Sequence, residues 1–303
     1  MTVSVYKQIE ANKTKTWLVM LFFSLFIAMV AFVFGKSTGN GLSWAGIALI
    51  ISGLMSLISY YNSDKMVLGI SGARPADRVR DFDLFTVVEN LSIASGLPKP
   101  KIYVIDDNAP NAFATGRDPE HAVVCATTGL LEKLNRRQLE GVIGHELSHI
   151  QNYDTRLMAI VVVLVGVISL MADWFMHSLW FGGRGSRDNR EDRSSFGAIM
   201  MVVGIVFAFL SPIIATIIQL AISRRREFLA DASSALLTRY PEGLAQALEI
   251  ISNDRNVLKT ASNATAHLFI ANPFKDKGFG TKFSGLFDTH PPAIERIKIL
   301  RSM

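Results

Sequence analysis

NRRQLEGVIGHELSHIQ, Asn135 to Gln151, holds the pattern on which the whole reading turns. Asn135 and Gln138 form an N-x-x-Q capping box, and Leu139, Val142, Ile143 and Ile150 follow at helical spacing, so the stretch predicts a helix. Within it lies HELSH, His145 to His149. Residues four apart on a helix share a face, so the two imidazoles can meet one metal ion. Zinc takes imidazole nitrogen at about 2.0 to 2.1 Å. Glu146, next to His145, can then reach a zinc-bound water and act as general base. The motif is short, so the rest of the chain has to support it.

Working outward, the 303 residues carry a formal net charge of +5 and are 50% hydrophobic, with a mean hydropathy of +0.29. That is high for a soluble chain and points to membrane segments. The single cysteine, Cys125, excludes an intramolecular disulfide and reads as a small buried apolar residue. The basic residues are scattered, with no aromatic-interleaved stripe, so no nucleic acid partner is expected.

Four long apolar runs organise the chain: Trp17 to Phe34, Leu42 to Tyr61, Leu157 to Met176 and Phe196 to Ile222. The first competes with a signal peptide. It is longer than the usual apolar core of about 7 to 15 residues and ends in Phe34-Gly35-Lys36, so it reads as an uncleaved anchor. With the second run, flanked by Trp44, Tyr60 and Tyr61, it predicts a transmembrane hairpin. Pro212 kinks the fourth run, and Asp173 near the end of the third reads as an interfacial carboxylate. The segments between predict a soluble domain: a helix over Asp83 to Ser95 stopped by Gly96, and strands at Lys101 to Asp106 and Ala122 to Ala126. The organisation expected is therefore an anchor over 1–61, a first part of the catalytic domain over 62–156, a transmembrane hairpin over 157–222 and a second part over 223–303.

A catalytic zinc needs a third protein ligand and an open position. Glu227 is the candidate. It opens a helix after Arg224 to Arg226, with Asp231 one turn later on the same face, placed to orient a ligand imidazole. The alternative for Glu227 is a surface ion pair with the arginines. His121, His177 and His267 have no partner at ligand spacing and read as structural or exposed.

HELSH, FLAD within REFLADASS and THPP at Thr289 to Pro292, together with NAFATG at Asn111 to Gly116 and YKQIEANKTKTW near the N-terminus, resemble the HtpX family of membrane-bound zinc metalloproteases, relatives of the CAAX-prenyl endopeptidases. The resemblance covers nearly the whole chain. It implies a mainly α membrane protein of four transmembrane helices with an α+β zincin-like (gluzincin) protease domain and a small sheet. It implies one zinc per chain held by His145, His149 and Glu227, with Glu146 as base and Asp231 supporting a ligand. His290 and Arg296 would contact the substrate carbonyl or its oxyanion. Asn111, Ala112, Phe113 and Ala114 would form an edge strand pairing with the substrate backbone, the alternative being a plain hairpin segment. The implied substrates are membrane or unfolded polypeptides, in stress-linked quality control.

The ligands must meet on one side of the bilayer, so an even number of crossings must separate His149 from Glu227, and two apolar runs do. The basic residues that share that side make it cytoplasmic by the positive-inside rule. Arg184, Arg187, Arg190 and Arg193 conflict with this, so a hairpin that does not fully span is the competing topology. A degenerate scaffold is disfavoured by the intact Glu146. A transporter would place several charges within its apolar runs, where only Asp173 occurs. With eight residues from His149 to Leu157, about 12 Å if the helix continues, the zinc is expected close to the membrane surface.

Overall fold

The computed structural model describes residues 5–36, 39–182, 224–261, 265–273 and 291–303, with side chains of the third long helix described as far as Ile168. The fourth apolar run, the connection at 183–195 and His290 lie outside the described residues, as do the side chains of Asp173 and His177.

Two long helices begin the chain, α1 (Val5–Lys36) and α2 (Gly41–Ile70). Ile9–Val33 and Gly41–Ile70 are each long and apolar enough to cross a membrane. Their outward faces carry Leu18, Leu21, Leu25, Ile47 and Ile50, all more than half exposed, as lipid-facing side chains would be. Ser52, Ser56, Ser59 and Ser63 line the buried face of α2, and small residues at this spacing let helices approach closely. Where the apolar run was expected to end, the helix breaks at Asn62 (φ −121°, ψ 15°) and then continues to Ile70.

The soluble part is a four-stranded sheet in the order β1 (Arg74–Pro75), β2 (Lys101–Ile105), β4 (Val123–Thr127) and β3 (Ala112–Thr115). β2 and β4 run parallel; β1 and β3 pair antiparallel at the two edges. Helix α3 (Phe82–Ser95) ends at Gly96 in the left-handed region (φ 70°), a conformation a side chain would resist. A short α4 (Thr128–Lys133) leads to α5 (Arg136–Gln151), which carries HELSH. Its capping box is formed: Asn135 Oδ1 accepts from the Gln138 amide and Gln138 Oε1 from the Asn135 amide. After α6 (Asp154–Gly182) come α7 (Arg224–Thr238), α8 (Pro241–Asn253) and α9 (Ala293–Leu300).

Both faces of the sheet are covered, which is why its central strands are apolar without alternation. Ile102, Val104, Ala114, Val124 and Ala126 face α3, α5 and α8. Ile105, Phe113, Val123 and Cys125 face Val67 and Leu68 of α2 and Leu157, Met158 and Val161 of α6. Cys125 is fully buried, and burial pushes its thiol pKa up. The sheet is thus packed between the HELSH helix and the feet of the two apolar helices. Met20 and Phe23 of α1 complete the arrangement against Ile160, Leu164 and Ile168.

The helix does not continue from HELSH into the third apolar run, as the 12 Å reckoning assumed. It ends at Gln151; Asn152 caps it, Tyr153 takes a left-handed conformation (φ 59°), and α6 leaves at a bend of 83°. A tyrosine in that region is strained. Lys13 Nζ lies 5.0 Å from its ring centroid and the Arg156 guanidinium 4.8 Å, contacts that help hold it. Taken together, α5 and α6 pass the same length and hydropathy test as a broken span.

Candidate metal centre

The ligand set is assembled from two helices whose spacing is set by glycine. A Cβ on Gly141 would lie 2.6 Å from the Leu244 amide nitrogen, and one on Gly144 2.8 Å from Ser234 Oγ. With hydrogen there instead, α7 and α8 press onto α5, and Ser234 Oγ donates to the Gly141 carbonyl at 2.6 Å. That contact presents the Glu227 and Asp231 face of α7 to the histidine face of α5. His145, His149, Glu146, Glu227 and Asp231 are all buried.

His145 Nε2 and His149 Nε2 are 3.2 Å apart, and Glu227 oxygens lie 3.7 Å and 3.5 Å from them. A tetrahedral ion with bonds of about 2.05 Å separates its ligand atoms by about 3.3 Å, so the three donors have the spacing of a zinc site. The other ring nitrogens face carboxylates. His145 Nδ1 is 2.9 Å from Asp231 Oδ1, and His149 Nδ1 is 3.0 Å from Asp154 Oδ2. Each Nδ1 proton is thereby assigned to a carboxylate, which turns both Nε2 lone pairs toward Glu227. Two lone pairs and a carboxylate at this range repel one another unless a cation lies between them. The donor set fits zinc.

The two imidazoles sit in different fields. Burial drives the His145 pKa down to about 4, assisted by the Arg296 charge and opposed by Asp231, so this ring is neutral. Burial acts the same way on His149. There the hydrogen bond that Nδ1 donates to Asp154 and the charges of Glu227, Asp154 and Glu146 outweigh it and lift the pKa to about 9. At Asp231 burial is opposed by the Arg296 charge and hydrogen bond and by His145, which hold the carboxyl down at about 2.

Arg296, expected at the substrate carbonyl, is placed elsewhere. It is 1% exposed, and its Nε and Nη2 donate to Asp231 Oδ2 and Oδ1 at 2.8 Å and 2.6 Å, with Nη1 donating to the Ile270 carbonyl at 3.2 Å. The guanidinium is a bidentate clamp beneath the ligands rather than a group facing the cleft.

A cavity of about 10 Å³, room for about one water, is lined by His145, Glu146, His149, Ala114, Thr155, Met158, Leu268 and Ile270. Thr155 and Met158 belong to the foot of α6, so the centre lies against the apolar helix. A larger cavity of about 290 Å³ lies behind α5 and contains neither histidine nor Glu146. β3 is the outer strand next to the site, but it is not bare. The Ala112 carbonyl accepts from the Ile270 amide at 3.0 Å, and Asn111 Nδ2 donates to the Ala271 carbonyl at 3.0 Å. Phe113 points away into the core, edge-on to Phe269 at 5.2 Å.

Sequence reasoning missed Asp154, the carboxylate on His149, because it lies beyond the helix end. The Asn152 cap was the available signal that the chain turns there. It also missed Asn12 and Arg226, for which no local pattern exists. His121, which had no predicted partner, faces Asp118 and Arg117.

Residues 79–303 match Peptidase family M48. Over the full chain, the protein is 44% identical to a "Protease HtpX homolog" of Caldanaerobacter subterraneus subsp. tengcongensis, covering 99% of this chain and 98% of that one. It is equally 44% identical to one of Thermoanaerobacter pseudethanolicus at the same coverage. Among solved structures, S. mikatae Ste24p aligns with a TM-score of 0.47 and 18% identity, covering 95% of this chain and 67% of that one. The chain belongs to peptidase family M48, as a member of its HtpX group.

Proposed function

We propose that the chain is a membrane-embedded zinc endopeptidase that hydrolyses membrane or misfolded polypeptides at the cytosolic membrane surface, in stress-linked protein quality control. The observation that carries the chemistry is the convergence of His145 Nε2, His149 Nε2 and a Glu227 carboxylate oxygen, with both Nδ1 atoms committed to carboxylates. The curated relatives named as proteases support the reaction class.

One zinc, held by His145, His149 and Glu227, would supply Lewis acidity for a water and for the scissile carbonyl. Glu146 takes the proton of the attacking water and passes it to the leaving amine. Asp231 and Asp154 keep the two imidazoles in the tautomer that presents Nε2. Arg296 acts through Asp231, keeping that buried carboxylate ionised. His290, by the family resemblance, stabilises the oxyanion. The substrate backbone runs along β3, Asn111 to Ala114, on the side where Leu268 and Ile270 now close the cavity.

Purified wild type is expected to contain one zinc and to cleave an unfolded membrane substrate. Glu146→Ala keeps the metal and loses turnover by about 10²-fold to 10⁴-fold; equal turnover would rule out Glu146 as base. For topology, a cysteine replacing Ser186 is expected to react with an impermeant reagent from the external side only. Reaction from the cytoplasmic side would exclude four full spans.

A further inference from the structure

Asn12 lies on α1, five residues before Trp17, in a helix that otherwise serves to cross the membrane. A polar side chain there would ordinarily face water, yet Asn12 is 2% exposed. Three hydrogen bonds hold its amide. Nδ2 donates to Asp154 Oδ1 at 2.7 Å and to the Asn152 carbonyl at 2.9 Å, and Oδ1 accepts from Arg226 Nη1 at 3.0 Å. The Asn152 carbonyl belongs to the cap of the HELSH helix. Arg226 Nη1 also donates to Asp154 Oδ1 at 3.0 Å. The second oxygen of Asp154 faces His149 Nδ1, and Arg226 directly precedes Glu227.

We propose that Asn12 is a positioning residue of the metal centre, through which the first membrane helix fixes the Asp154 carboxylate on His149 and the Arg226 guanidinium beside Glu227. A carboxylate that serves an imidazole with one oxygen can still rotate about its χ2 angle. Two donors on the other oxygen remove that freedom. Asparagine suits the place because it must donate twice and accept once, which neither aspartate nor leucine can do. The N-terminal anchor is therefore part of the site as well as its tether. This rests on the zinc reading above.

The test uses the full-length protein in detergent and reads zinc affinity by chelator competition together with the visible absorption of the cobalt-substituted form. Asn12→Ala is expected to weaken zinc binding about tenfold and to shift the cobalt bands. Thr16→Ala, one turn along the same buried face and, among the described residues, bonded to the Asn12 carbonyl of its own helix, is the control and leaves both unchanged. Acting largely through Asp154 also predicts non-additivity: Asn12→Ala with Asp154→Ala loses less than the sum of the two single losses. If Asn12→Ala fails to fold, Asn12→Asp keeps the volume and sets a carboxylate against Asp154 Oδ1, and the same weakening is expected. Affinity and cobalt spectrum matching Thr16→Ala, or losses that add, would overturn the role of Asn12. Failure of the wild type to bind stoichiometric zinc would overturn the metal reading itself, a separable outcome.

Discussion

The two candidate ligand histidines stand on one helix, one turn apart; their braces share α7 but otherwise draw on different elements. His145 is backed by Asp231 and Arg296, on helices of the soluble domain. His149 is backed by Asp154, Asn12 and Arg226, which sit at the cytosol-facing starts of α6, α1 and α7 in the proposed topology. Each brace contains a buried Arg–Asp pair, Arg296 with Asp231 in the first and Arg226 with Asp154 in the second, and only the second adds an asparagine from α1. The contrast teaches that the centre is a junction: the His149 brace draws on the apolar helices α1 and α6, the His145 brace on α9, and α7 serves both.

The largest expected effect comes from breaking the first brace. Arg296→Ala leaves Asp231 as a buried carboxylate without its clamp, at a cost of about 3 to 5 kcal/mol. Thermal unfolding followed by circular dichroism should show it as a drop of many degrees; an unchanged midpoint would mean that the pair contributes nothing. A more even comparison replaces each carboxylate by its amide. Asp231→Asn and Asp154→Asn should each lower zinc affinity by about 10-fold to 100-fold. If only Asp231→Asn did so, the membrane-side brace would be dispensable and the junction view would fail. The smallest effect concerns the turn that aims Asp154. Tyr153→Gly is expected to be more stable than Tyr153→Ala by about 1 kcal/mol, because glycine takes the left-handed conformation without strain. Equal stabilities would mean that φ at this position does not matter to the fold.

Much of this was legible in the sequence. The capping box and the apolar spacing after Asn135 placed the HELSH helix, and Gly96 placed the end of α3, since both depend on neighbours within a few residues. The strands expected at KIYVID and AVVCA were read from β-branched runs for the same reason and are found within a residue of those bounds, at Lys101–Ile105 and Val123–Thr127. Glu227 and Asp231 were found as a pair one turn apart on a single helix. Arg296 was expected at the substrate carbonyl and is found buried against Asp231, and nothing local distinguishes a guanidinium facing a cleft from one held under a carboxylate. The bend after Gln151 was missed although Asn152 signals a helix end, because the tyrosine in the left-handed region that follows is held in part by a contact from Lys13, 140 positions away.

By itself the sequence picked out two histidines and a glutamate at ligand spacing and the runs apolar enough to cross a membrane, because helical spacing and hydropathy are properties of adjacent residues. Only the tertiary structure decided how the ligands are held. Arg296 reaches Asp231 across 65 positions, Asn12 reaches Asp154 across 142, and Arg226 reaches Asn12 across 214. Hydrogen bonds between residues so far apart in the chain depend on helices packing at one mutual angle. That angle is set by glycines, by a strained tyrosine and by the sheet between them, and no local pattern records it.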